Sequence, residues 1–447
     1  MDYQGKRVLV VGAGISGIDA CHFLLKQGAS VILMDSKSRE NLNQDVLDLE
    51  KKGVELRLGN LLPQQVDWEL VVSSPGVPLG LPVFSLSREA GVEVIGEIEL
   101  AWRNASRPFI GITGTNGKTT TTALTAYLLE QQPYEILLGG NIGQPLVSSI
   151  GSFAGDYIVA ELSSFQLESC RDFHPHIAAF LNLSPDHLDR HGSLENYGAA
   201  KARIFARQEK DDFAILNWDD PYLRQLSASL NGQLRFFSLQ QPVEDGMFFQ
   251  DGRVFFVRSG RKVYDFPAAD IYIKGRHNIA NAMAGSIAAC EAGMPPERIH
   301  EGLQSFPGVP HRLEFVCERD GVCYVNDSKG TNPDSTTQAL LAYEQPMIVL
   351  LGGRNKGCDM RPLLQLVKER ARSAVLFGEA TAELKRAADA VGFKSYQIAD
   401  DFTHAVFLAR SAALPGDVVL LSPACTSWDA FPNFEVRGDL FKKLVRE

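Results

Sequence analysis

The residues best suited to chemistry lie at positions 111–120, Gly-Ile-Thr-Gly-Thr-Asn-Gly-Lys-Thr-Thr. A phosphate-cradling loop needs unobstructed backbone N–H groups, a lysine for the β- and γ-phosphates and a hydroxyl for Mg²⁺. Gly117, Lys118 and Thr119 follow in that order. The strict pattern has glycine at position 112, where this chain carries Ile112, so the loop is a variant. Its place after an apolar strand and before a helical run favours ATP over a purely structural turn.

Four further groups stand beside it. Gly12-x-Gly14-x-x-Gly17 also follows an apolar run, and Asp35 ends the next one. That arrangement suits NAD or FAD, another nucleotide-like ligand, or a tight structural turn. Glu161 closes a hydrophobic run, where it would either hold Mg²⁺ or sit at a helix start near a capping serine. Asp186-His187-Leu188-Asp189-Arg190-His191 offers a histidine among carboxylates, either a metal ligand or a solvated or core residue. Lys201, on a helical pattern downstream, reads by itself as a solvated charge. The last group comprises residues 326–332, 352–357 and 422–429, each after a strand-like run. Open α/β sheets bind ligands at that rim, and its lysines and hydroxyls suit an anion.

The elements that must position these residues alternate between strand and helix. The continuous apolar run at 7–11 reads as a buried parallel strand, as does 109–113, and 30–34, 156–162, 177–183 and the short β-like runs at 70–72 and 92–95 are further strand candidates. Runs at 214–217, 234–238, 247–257 and 262–265 read as a β-rich insertion, with Asp251-Gly252 as a hairpin turn. Residues 279–292 form an alanine-rich helix, and the two prolines and glycine of 306–310 predict a linker. Beyond it, strands are expected at 322–326, 347–351, 374–377 and 418–421, with helices at 360–370 and 403–413. The 447 residues are enough for about three domains, all α/β.

Composition narrows the class. The chain is 45% hydrophobic and 22% charged with a net charge of −10, which excludes disorder and argues against nucleic-acid binding by a broad basic surface. Seven scattered cysteines without a CxxC pair point to reduced thiols in a cytoplasmic protein. Neither a signal peptide at Met1 nor a membrane-spanning run is expected.

Taken together, residues 113–120, 140–143 (Gly-Asn-Ile-Gly), 161–168 (Glu-Leu-Ser-Ser-Phe-Gln-Leu-Glu), 186–190, 311–312 (His-Arg), 326–329 (Asn-Asp-Ser-Lys) and 422–425 (Ser-Pro-Ala-Cys) resemble the motif set of the Mur ligases of peptidoglycan synthesis. The resemblance covers essentially the whole chain. The 161–168 and 422–425 strings are similar to those of the D-glutamate-adding branch.

The resemblance implies three domains. Residues 1–96 would be a Rossmann-like domain for the UDP-substrate. Residues 97–308 would be a P-loop ATPase-like parallel-sheet domain with a β-rich insertion, and 309–447 a Rossmann-like domain for the amino acid. It implies ATP-dependent addition of D-glutamate to UDP-N-acetylmuramoyl-L-alanine by a cytoplasmic monomer, with no nucleic-acid or membrane partner.

Residue by residue, the resemblance assigns the UDP-substrate to Gly14, Ile15, Ser16, Asp35, Ser36, Lys37, Ser74, Asn141 and His187. It assigns ATP to Gly114, Thr115, Asn116, Gly117, Lys118, Thr119, Thr120, Asn278, Arg312 and Asp327. Two Mg²⁺ would be held by Thr119, Glu161, His187 and Lys201, the lysine being carbamylated, and catalysis would rest on Lys118, His187 and Lys201. D-Glutamate would meet Lys329, Thr331, Lys356, Ser427 and Phe434. Trp428, beside Ser427, departs from the pattern. Rival readings are another amide ligase on this core, such as folylpolyglutamate synthase or another Mur ligase, an NAD-dependent oxidoreductase and a non-catalytic nucleotide-binding module. The folate enzymes lack a separate UDP-binding domain, and the Asp-Asn-Pro-Arg string of diaminopimelate-adding ligases is absent from this chain. The oxidoreductase reading leaves Gly117-Lys118-Thr119 unexplained.

Overall fold

A computed structural model describes residues 2–447, apart from the side chain of Asp189, so Met1 and that carboxylate of the His187 motif lie outside the described residues. The strands form three sheets. The first contains β1 (Arg7–Val11), β2 (Ser30–Asp35), β3 (Glu55–Leu58), β4 (Leu70–Ser73) and β5 (Glu93–Gly96), all parallel in the order β3-β2-β1-β4-β5. Val8 to Val11 are wholly buried because β1 is the central strand, covered on both faces.

The second sheet contains β6 (Phe109–Thr113), β7 (Ile136–Gly140), β8 (Tyr157–Glu161), β9 (Ile177–Phe180), β10 (Phe213–Asn217), β11 (Gln233–Ser238), β12 (Gly246–Gln250), β13 (Arg253–Arg258) and β14 (Arg261–Pro267). Its order is β14-β13-β12-β11-β10-β9-β6-β8-β7, parallel except for the antiparallel β12-β13-β14 edge. Asp251 (φ 50°) and Gly252 (φ 74°) make the β12–β13 turn, as their left-handed preference predicts. β9 stops at Phe180, short of the expected 183. There the Asn182 carboxamide and the Leu183 N–H turn to other partners, Asn116 and Asp220.

The third sheet contains β15 (Glu314–Arg319), β16 (Val322–Asn326), β17 (Met347–Gly352), β18 (Ala371–Phe377), β19 (Tyr396–Ile398) and β20 (Val418–Ala424), in the order β15-β16-β20-β17-β18-β19. Only the β15–β16 pair is antiparallel. β3, β15 and β19 escape the sequence reading because they are edge strands with mixed polar composition, and β7, also at an edge, because its apolar run is only three residues before two glycines. The chain packs as two compact units, Met1–Ile271 with Ala280–Gln304, and Tyr272–Ile279 with Ser305–Glu447. No helix among the described residues is long and apolar enough to cross a membrane.

The helix Glu97–Arg103 buries two carboxylates in the first unit. Glu99 accepts the backbone N–H groups of Arg171, Asp172 and Phe173 and pairs with Arg103. Glu97 is less well matched. Its Oε1 accepts from the Val147 N–H at 3.1 Å and its Oε2 has no partner. Burial pushes this carboxyl up to about 7, and Asp19 adds repulsion. The folded state therefore keeps a proton that the unfolded chain releases near 4.5. Stability linked to Glu97 is full below about pH 4.5 and falls, by up to about 3 kcal/mol, as pH rises to 7. Urea unfolding at pH 5 and pH 8 should show Glu97→Gln losing less stability than wild type over that interval. Equal losses would refute the assignment.

Candidate active site

Between β6 and the helix Lys118–Glu130, residues 114–117 form an open loop. Ile112, the departure from the strict pattern, is a buried residue of β6 paired with β8 and β9, so glycine is not required there. Gly117 is required. It starts the helix at φ 84°, and a Cβ would sit 2.2 Å from Asn281 Oδ1. The loop is pinned from outside: the Thr115 and Asn116 N–H groups donate to the Asn182 carbonyl and side chain, and Thr115 Oγ1 accepts from the Ser184 N–H. Lys118 Nζ curls over the loop onto the carbonyls of Gly114 (2.9 Å) and Thr115 (2.8 Å). Thr119 and Thr120 are buried in the first helical turn.

Glu161, at the end of β8, is 2% exposed. Its Oε1 accepts from Asn141 Nδ2 at 2.8 Å, and its Oε2 is buried without a hydrogen-bond partner. Ser163 caps the helix Ser164–Glu168, closing a capping box with Gln166, so the carboxylate has no capping duty. An unsatisfied buried carboxylate oxygen suits an oxygen-seeking divalent cation.

Lys201 overturns its reading as a solvated charge. It is 1% exposed, its Nζ donates to the Gly114 carbonyl at 2.8 Å and lies 4.6 Å from the centre of the Tyr197 ring. Burial first, and repulsion from Lys118 second, push the ammonium down to about 6. Tyr197 belongs to no motif of the sequence, and its spacing one helical turn before Lys201 puts both on one face. His187 is half exposed, adopts a left-handed backbone (φ 51°) and packs edge-on against Phe165 at 4.8 Å. Phe165 also stacks on His191 and carries Arg190 at 4.2 Å. His191 bridges Ser164 and Glu168, tying the 161–168 segment to the 186–191 segment.

In the N-terminal turn, Gly17 approaches the backbone so closely that a Cβ would lie 1.9 Å from the Gly12 carbonyl oxygen. Asp35 accepts from the N–H groups of Ala13 (2.7 Å) and Lys37 (2.8 Å), so its carboxylate already braces the turn. Ser74 Oγ donates to the Gly12 carbonyl. Gly14, Ile15 and Ser36 are exposed around this turn, and Ile15 at 70% presents an apolar face to solvent.

The second unit carries Asn278, Arg312 and Asp327 together with all the expected amino-acid residues. Asp327 is buried, accepting from Ser422 Oγ at 2.6 Å and from the Leu313 N–H at 3.2 Å, and burial pushes it up to about 6. Lys329 Nζ lies 5.7 Å from the Phe434 ring centre, and Lys356 Nζ 5.6 Å from that of Trp428. Thr331 and the buried Ser427 flank these pairs on the 326–332 and 422–429 loops. Arg437, which the sequence did not single out, joins these loops. Fully buried, it donates to Ser328 Oγ and the Ser328 carbonyl and to the Cys425 carbonyl.

Residues 6–96 match the MurD-like N-terminal domain of Mur ligases, 112–289 the Mur ligase middle domain and 311–425 the Mur ligase glutamate ligase domain. The UDP-N-acetylmuramoylalanine--D-glutamate ligase of Pelotomaculum thermopropionicum is 45% identical over 99% of this chain and 98% of that protein. The protein of the same name from Koribacter versatilis is 43% identical over 100% and 98%. Among solved structures, the UDP-N-acetylmuramate-alanine ligase of Thermotoga maritima superposes with a TM-score of 0.61 at 18% identity, covering 99% of both chains. The MurF ligase of that organism, in complex with ADP, has a TM-score of 0.62 at 18% identity over 100% of this chain and 96% of its own. End-to-end likeness at this identity, with three successive domain matches, means that the chain belongs to the Mur ligase family.

Proposed function

We propose that the chain is an ATP-dependent amide ligase that joins D-glutamate to UDP-N-acetylmuramoyl-L-alanine. The observation that carries this reading is the phosphate loop with Lys118, flanked by Glu161 and its unpaired oxygen, in a chain matched end to end by relatives named for that reaction. Residues 1–96 take the UDP-substrate, 97–308 take ATP and 309–447 take the amino acid. The cytoplasm is where such soluble nucleotide substrates are met.

A carboxylate is a poor electrophile. Its oxygen attacks the γ-phosphorus of ATP, the bond to the departing ADP breaks, and an acyl phosphate forms. The D-glutamate amine then attacks the acyl carbon, a C–N bond replaces the C–O bond, the amine loses a proton and phosphate leaves. Lys118 neutralises charge on the transferring group, and the N–H groups of the first turn of the helix Lys118–Glu130 orient it. Mg²⁺ fits Glu161, because it is commonly held by one or two carboxylates together with substrate phosphates. Thr119, in the first turn of the helix that follows the loop, would add a hydroxyl. When bound, the cation polarises the phosphoryl oxygens. A second cation, at His187, would need anionic oxygen beside the imidazole. A carbamate on Lys201 would supply it.

The test is phosphate release with UDP-N-acetylmuramoyl-L-alanine, ATP and Mg²⁺, with D-glutamate present, omitted or replaced by L-glutamate. Release is expected only with the D-isomer. Equal release without it would sink the assignment.

A further inference from the structure

Trp428 is an unexplained feature of the amino-acid loops: a tryptophan 61% exposed next to the buried Ser427. Resting on the functional reading above, we propose that Trp428 is a positioning residue for D-glutamate, its indole face holding Lys356 ready for a substrate carboxylate.

The two loops involved are locked together. Arg354 and Thr426 exchange backbone hydrogen bonds at 2.9 and 3.0 Å, and Thr426 Oγ1 donates to the Arg354 carbonyl at 3.0 Å. Arg354 is clamped by both oxygens of Glu379, whose own N–H donates to Asp429, the residue after Trp428. Lys356 and Trp428 each lie two residues beyond this bridge, and the ammonium sits 5.6 Å from the ring centre. Lys356 makes no ion pair with any described residue, so its charge is uncommitted to a carboxylate of the protein. A ring face attracts a cation without neutralising it, and it narrows the rotamers of a long, exposed side chain. Lys329 over Phe434 repeats the device on the neighbouring loop. Two ammonium groups each seated on an aromatic face suit an amino acid with two carboxylates.

The experiment compares steady-state phosphate release by wild type, Trp428→Leu, Trp428→Phe, Lys356→Ala and the Trp428→Leu/Lys356→Ala double variant. Exposed cation–π pairs predict that Trp428→Leu raises the KM for D-glutamate about two- to fivefold, with kcat and the KM values for ATP and the UDP-substrate held. Trp428→Phe should restore most of the loss, and Trp428→Leu should add little once Lys356 is alanine. An unchanged D-glutamate KM in Trp428→Leu, or a full additional loss in the double variant, overturns the proposal while leaving the functional reading intact. Absence of D-glutamate-dependent release in the wild type overturns the functional reading itself.

Discussion

Lys201→Ala should lower D-glutamate-dependent turnover by about 10³-fold or more, the scale on which a preorganised charge at a transferring phosphoryl group acts. Added bicarbonate should not restore it. Lysine amines attack CO₂ only when neutral: the nitrogen forms a bond to carbon and releases a proton to solvent. A solvated lysine is almost wholly protonated near neutrality, whereas burial beside Lys118 pushes Lys201 down to about 6. Its amine is therefore free above that pH, and carbamate occupancy should rise as pH climbs through 6 and fall below it. The nitrogen itself is held in place, with the Tyr197 ring 4.6 Å from Nζ and the Gly114 carbonyl accepting from it at 2.8 Å. Carbon-13 NMR with labelled bicarbonate should reveal a carbamate signal in wild type that is missing from Lys201→Ala. Lys201→Arg keeps a long cation but cannot form the carbamate. Wild-type turnover in that variant would count decisively against a carbamate.

Glu99→Ala is expected to cost about 3 kcal/mol of stability, the range for breaking a buried charged network. The carboxylate is 0% exposed and accepts the N–H groups of Arg171, Asp172 and Phe173 at 2.9 to 3.1 Å, with Arg103 Nε at 2.8 Å. Alanine would strand those donors, of which the Phe173 N–H is the most deeply buried, and would leave Arg103 with fewer partners. Urea unfolding followed by circular dichroism at pH 7.5 measures the loss. A change within about 0.5 kcal/mol, typical of surface substitutions, would show that the network contributes little. The functional echo should be modest. The 171–173 segment leads into β9, whose exit through Asn182 pins the phosphate loop, so some rise in the KM for ATP is expected.

Much of this molecule is legible in its residues because the relevant forces are local. Continuous apolar runs become central parallel strands, as β1 and β6 do. Asp251-Gly252 turns because those residues tolerate positive φ, and Gly117-Lys118-Thr119 reads as a phosphate loop because the spacing is itself the chemistry. Edge strands of mixed composition such as β3, β15 and β19 are harder to see, since a strand with one unpaired edge needs no continuous apolar run.

The α/β class, the order of the motifs and the resemblance that assigns them are readable from the residues alone. Tertiary structure alone decided which charges are buried and what they touch. Lys201 and Gly114 stand 87 residues apart, Ser422 and Asp327 95 apart, and Arg437 and Ser328 109 apart. Desolvation and Coulomb interactions sum over neighbours in space, so the ammonium of a lysine that looks solvated in the chain is pushed well below its ordinary range in the fold.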